Sequence, residues 1–145
     1  MSKSKPQFVE IILSRGPNGL GFNIRGGNDQ PHLPNDKGIF VTKIRTNCSA
    51  AKDGRLQEGD KIIEINGNSL LDAKHATAVD YFINAGETVK LLVWHGAEKV
   101  LVEEYTEKTR QKGMSMFQKA LLVAGVAVVL GVAFYYYKKH YGVAL

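Results

Sequence analysis

Two glycines one residue apart, in Pro17-Asn18-Gly19-Leu20-Gly21-Phe22, are the first positions in the 145-residue chain whose spacing suggests chemistry. Glycines let successive backbone N–H groups point into one concavity, a nest that holds a carboxylate. The same tetrapeptide also fits an ordinary turn leading into a strand, and alone it does not separate the two. It is not a dinucleotide loop, because the third glycine of G-x-G-x-x-G would fall on Ile24. No Gly-Lys-Ser/Thr follows to make a phosphate loop. His75 is a second candidate, either a solvated residue or a hydrogen-bonding group at a helix start. Cys48, the single cysteine, stands between Asn47 and Ser49 with no neighbour to activate it, and reads as a small half-buried side chain. HExxH and G-x-S-x-G are absent, and His32, His95 and His140 are scattered. Catalysis has no residue set to carry it, and neither a metal nor a cofactor is expected.

These residues need elements to position them. Phe8–Leu13, Phe22–Gly26, Ile39–Ile44, Lys61–Ile65 and Thr88–Trp94 are short runs rich in Val, Ile and Phe, bounded by Gly, Asn or Pro, and predict five strands. A helix is signposted by Asp72 as its cap, by Ala76, Val79, Phe82 and Ile83 at helical spacing, and by Gly86 as its end. A one-turn helix is expected over Ser49–Asp53. Asn66-Gly67 marks a tight turn, and Gly27 to Gly38 is a long polar loop.

Taken together, Gly19-Leu20-Gly21-Phe22-Asn23-Ile24-Arg25-Gly26-Gly27, Gly38-Ile39-Phe40-Val41, Gly59-Asp60-Lys61-Ile62-Ile63-Glu64-Ile65-Asn66-Gly67 and His75 opening a helix resemble a PDZ domain over residues 8 to about 97. The resemblance implies an α+β, mostly β fold: a small, partly open β-barrel or sandwich of five to six strands with two helices. It implies that Leu20, Gly21 and Phe22 receive the C-terminal carboxylate of a partner on their backbone N–H groups, assisted by Arg15. Phe22, Asn23, Ile24 and Arg25 would be the strand edge to which the partner's last residues add as an antiparallel strand. Leu20, Phe22, Ile24, Val79 and Phe82 would line the pocket for its final apolar side chain, and His75 would select Ser or Thr two residues before the end. The implied partners carry Ser/Thr-x-hydrophobic C-termini, with synaptojanin, a phosphoinositide phosphatase, and receptor tails among them.

Charge divides the chain. Of 19 Lys and Arg and 14 Asp and Glu, residues 111–145 hold four lysines and no acid, so residues 1–110 are nearly neutral. Nucleic-acid binders concentrate positive charge on the folded domain, and nucleic acid is therefore not expected as a partner. Ala120 to Tyr137 is a run of eighteen residues without a charge, close to the roughly 20 that cross about 30 Å of hydrocarbon. Tyrosines and lysines at its ends suit a membrane interface. The expected organisation is a flexible N-terminus (1–7), a PDZ domain (8–101), a polar linker (102–117), one transmembrane helix as a tail anchor (118–138) and a short tail (139–145). With no secretory signal at the N-terminus, the domain is expected to face the cytosol. The resemblance implies the outer mitochondrial membrane, with the endoplasmic reticulum as the alternative. A rival reading is a structural tether whose domain contacts lipid or another membrane.

Overall fold

The computed structural model describes residues 5–141, except for certain side chains along the C-terminal helix. The chain runs β1 (Phe8–Ser14), β2 (Phe22–Gly26), β3 (Ile39–Ile44), α1 (Ser49–Asp53), β4 (Lys61–Ile65), β5 (Asn68–Ser69), α2 (His75–Ile83), β6 (Thr88–Trp94) and α3 (Ala97–Tyr141). The strands form one open antiparallel sheet in the order β1-β6-β4-β3-β2, with β5 paired to β4. The two-residue strand β5 arises from the Asn66-Gly67 turn, in which both residues adopt positive φ. It is the sixth strand, and too short to leave a periodic signal. Residues 1–104 and 105–145 form two compact units.

Alternation along the strands builds the main core. Ile11 and Leu13 of β1 and Val89, Leu91 and Val93 of β6 point to one face, where they meet Ile62, Ile65, Leu56 and Leu70. Ala78 is the residue of α2 that is fully buried, while Phe82 is half-buried against the core and Val79 is half-buried. Ala76 and Ile83, expected on the buried face from their spacing, are exposed, because the helix is rotated to seat Ala78.

Strand β3 breaks the alternation. Ile39, Phe40 and Val41 are buried in succession, since Phe40 faces away from the main core into a second cluster with Leu33, Ala97 and Leu101. The first turns of α3 therefore cover the opposite face of the sheet. This helix begins inside the folded unit and continues without a break through the stretch expected to be a polar linker. Glu98 pairs with His32 at 2.9 Å, and Asn35 donates to the Leu101 carbonyl, so the long Gly27 to Gly38 loop is tied to this helix.

Residues 105–141 form the second unit's helical stretch. Among the described residues, no helix is long and apolar enough to cross a membrane. Of the span expected over residues 118–138, the side chains of Lys119, Leu122, Val126, Ala127, Tyr137 and Lys138 lie outside the described residues, as do residues 1–4 of the N-terminus and 142–145 of the tail.

Asp60 joins the sheet to α3. It is fully buried, and its carboxylate accepts from the backbone N–H of Gln57 and of Gly96, each at 2.9 Å, and from His95 Nδ1. Charge-assisted bonds of this kind offset the cost of burying the carboxylate, and their loss strands the donors. Asp60→Ala is expected to destabilise the chain by about 2–3 kcal/mol, read as a lower urea midpoint, with Asp60→Asn recovering part of the loss.

Candidate functional site: a groove between β2 and α2

Strand β2 ends the sheet, so one of its edges pairs with β3 and, among the described residues, the other has no strand beside it. Helix α2 flanks that open edge, and the two enclose a cavity of about 270 Å³. Leu20, Phe22, Ile24, Val79 and Phe82 all line it, with the rings of Phe22 and Phe82 edge to face at 5.5 Å. The five residues named from the sequence as an apolar pocket thus come together from two elements and one loop. Asn23 and Arg25 alternate outward on β2, beside a wider open concavity that also includes His75 and reaches the start of α3.

The loop before β2 closes one end of the cavity. Gly19 and Gly21 take φ of +77° and +83°, a region that side chains with a Cβ rarely occupy. A Cβ at Gly21 would in addition collide with Cys48, which gives that cysteine a packing role behind the loop. The Leu20 carbonyl accepts from Ala50 and the Gly21 carbonyl from Arg45, at 3.0 and 2.8 Å. With the carbonyls fixed outward, the N–H groups of Leu20 and Gly21 have no backbone partner among the described residues. Two such donors at the mouth of an apolar cavity suit an anionic group.

Arg15 lies at this end too, but its guanidinium is engaged. Nε donates to the Gly86 carbonyl at 3.0 Å and Nη2 donates to the Phe82 carbonyl, so the side chain closes the C-terminal end of α2. Arg45 lines the same cavity and was not singled out from the sequence, where it is one more cation at the end of a strand.

The opposite end is set by His75. Its Nδ1 lies 2.7 Å from the Gly26 carbonyl, which can only accept, so Nδ1 carries a proton. In the neutral ring Nε2 is then the acceptor, available to a hydroxyl. The backbone N–H of His75 donates to Asp29 Oδ1 at 2.9 Å. That corrects the expectation that Asp72 caps the helix: the N-cap position is Lys74, Asp72 lies too far back, and its Oδ1 instead accepts from Asn28 Nδ2. No local pattern could reveal the cap, because Asp29 and His75 are 46 residues apart. Among the described residues no group of three or more His, Cys, Asp or Glu is placed to hold a metal ion.

An open sheet edge, a helix beside it and a glycine loop whose Leu20 and Gly21 N–H groups lack a backbone partner among the described residues meet at one cavity. The PDZ domain model matches residues 10–94, more than half of the chain, and the chain belongs to the PDZ family. The synaptojanin-2-binding proteins of Bos taurus and Homo sapiens are 59% and 58% identical to it over 86 residues. That stretch is 59% of this chain and 59% of each relative, so the similarity spans little more than half of their length. Disks large homolog 2 of Danio rerio is 42% identical over 107 residues, 74% of this chain and 12% of that protein. Among solved structures, the Dlg1 PDZ2 domain of Monosiga brevicollis matches with a TM-score of 0.59 at 38% identity, covering 61% of this chain and 99% of that one.

The His75 backbone bond holds the Asp29 carboxyl below its usual range. A carboxylate whose pKa is depressed on folding stabilises the fold above its unfolded pKa and loses that contribution as pH falls through the folded one. Asp29→Asn is therefore expected to lower the urea midpoint near neutral pH, with the gap to the unmodified chain closing below about pH 4.

Proposed function

We propose that the chain is a membrane-held, non-enzymatic adaptor that binds free C-termini of the form Ser/Thr-x-hydrophobic by adding them as a strand to β2. The observation that carries this reading is His75: its Nδ1 is committed to the Gly26 carbonyl, and its Nε2 is left as an acceptor beside the open edge of β2. A peptide antiparallel to β2 places its last side chain among Leu20, Phe22, Ile24, Val79 and Phe82. Its carboxylate then meets the Leu20, Gly21 and Phe22 N–H groups, and alternation brings the residue two positions earlier to the same side, toward His75.

Energetics suit such a contact. A hydroxyl at that position gains about 0.5–1.5 kcal/mol of net hydrogen bonding, whereas an aliphatic side chain leaves the imidazole unpaired at a cost of about 1–3 kcal/mol. The contact is small and the peptide must be ordered, so affinity near micromolar, about −8 kcal/mol, is expected. The names of the synaptojanin-2-binding proteins say that those proteins bind synaptojanin-2. We extend this to the chain as a partner of the same kind, together with receptor tails of matching sequence.

The C-terminal helix is proposed as a tail anchor in the outer mitochondrial membrane, with the groove in the cytosol. Its support is the uncharged run from Ala120 to Tyr137, along which Val123, Val129 and Phe134 are about two-thirds exposed. A helix apolar on all sides needs either a protein core or lipid around it.

Fluorescence anisotropy of the chain against peptides that differ only in Thr or Val two residues from the end tests the groove. Micromolar binding of the Thr peptide, lost on amidation of its C-terminus, is expected. In His75→Ala the preference for Thr over Val should shrink about tenfold. Binding that survives amidation would sink the carboxylate reading, and no binding to any free C-terminus would favour the tether. For the anchor, the full chain should stay with membranes through alkaline carbonate washing, while a chain ended after Met116 should be released. Retention of the shortened chain would place the membrane contact elsewhere.

A further inference from the structure

We propose that the cation facing the terminal carboxylate of a bound peptide is Arg45, at the exit of β3, and that Arg15 instead positions α2. The assignment rests on the groove taking a peptide C-terminus. Both arginines line the end of the cavity beside Leu20 and Gly21. They differ in what their side chains already do.

Arg15 is spent on the helix. Its Nε and Nη2 donate to the carbonyls of Gly86 and Phe82, and its backbone N–H donates to Glu87 at 2.6 Å. These carbonyls belong to the end of α2 and the turn after it, where unsatisfied acceptors and the helix dipole favour a cation. Turning the guanidinium toward a ligand would strip both carbonyls and loosen the helix that forms one wall of the groove.

Arg45 is held by its backbone alone. Its N–H donates to the Gly21 carbonyl at 2.8 Å, which fixes it against the middle of the glycine loop. Its side chain is exposed and has no hydrogen bond or ion pair among the described residues. Glu58, whose Oε1 accepts from the Ile44 N–H at an N···O distance of 3.4 Å, makes no ion pair with Arg45 among the described residues. A planar guanidinium with uncommitted donors, on the same cavity as the Leu20 and Gly21 N–H groups that lack a backbone partner among the described residues, matches a carboxylate in shape and charge. Being exposed, the pair would be screened by salt.

The test is anisotropy of the full chain with a fluorescein-labelled hexapeptide ending in Thr-Ala-Val, as free acid and as amide, at low and high salt. Urea midpoints are measured alongside. Arg45→Gln is expected to weaken the free acid about fivefold, to flatten its salt dependence and to leave the urea midpoint in place. Arg45→Lys, which keeps the charge, should recover most of the affinity. Arg15→Gln should lower the midpoint. Unchanged free-acid binding and salt dependence in Arg45→Gln, or an equal loss for acid and amide, overturns the assignment. An unmodified chain that binds neither form overturns the peptide reading itself, and the assignment with it.

Discussion

Helix α2 has no side-chain cap of its own at Lys74, and the groove depends on how its two ends are held. Its first turn contains no acid, its last turn no base, and Lys74 at the N-cap makes no side-chain bond. The missing groups come from the sheet side of the groove. Asp29, in the loop after β2, accepts from the His75 N–H, and Arg15, after β1, donates to carbonyls at the other end. A negative group thus meets the positive end of the helix dipole and a positive group the negative end. Asp29 comes from the loop after β2 and Arg15 from the end of β1, so the two clamps tie the helix to the sheet as well as capping it.

The helix so held stands beside the open edge of β2. An unpaired edge invites any other strand, and proteins usually blunt it. Here α2 flanks the edge, and Phe22 and Phe82 meet edge to face in the cavity between them. His75 adds a third tie, from the helix start to the Gly26 carbonyl at the end of β2. One imidazole nitrogen therefore ties the start of the helix to the end of the strand.

Much of this was legible in the sequence. The five strands follow from short runs rich in Val, Ile and Phe between turn residues, and Leu20, Phe22, Ile24, Val79 and Phe82 line one cavity, the set that the resemblance to a PDZ domain implied. What escaped was held by contacts distant in sequence. Asp29 as a cap and Arg15 as a clamp depend on partners 46 and 67 or more residues away, which no local window registers. Asp72 fits the local rule that a capping residue stands just before its helix, but it lies two residues ahead of the N-cap position Lys74. The start of α3 did leave a trace: three successive apolar residues, Ile39-Phe40-Val41, mark a strand buried on both faces, and something had to cover the second face.

That covering helix changes where the domain ends. The family match stops at residue 94, yet Ala97 is fully buried and Leu101 nearly so against Phe40. Burying a Phe side chain is worth about 1.5–3 kcal/mol, a large share of the stability of a small domain. Asp60, at the entrance to β4, is bonded by the Gly96 N–H, and Glu98 donates its backbone N–H to the Gly59 carbonyl at 3.0 Å. Strand β4 lies at the centre of the sheet between β3 and β6, so these bonds tie the helix to the middle of the domain. The first turns of α3 therefore belong to the packing unit that presents the groove. The polar stretch that follows them begins as a continuation of a helix already anchored in the core.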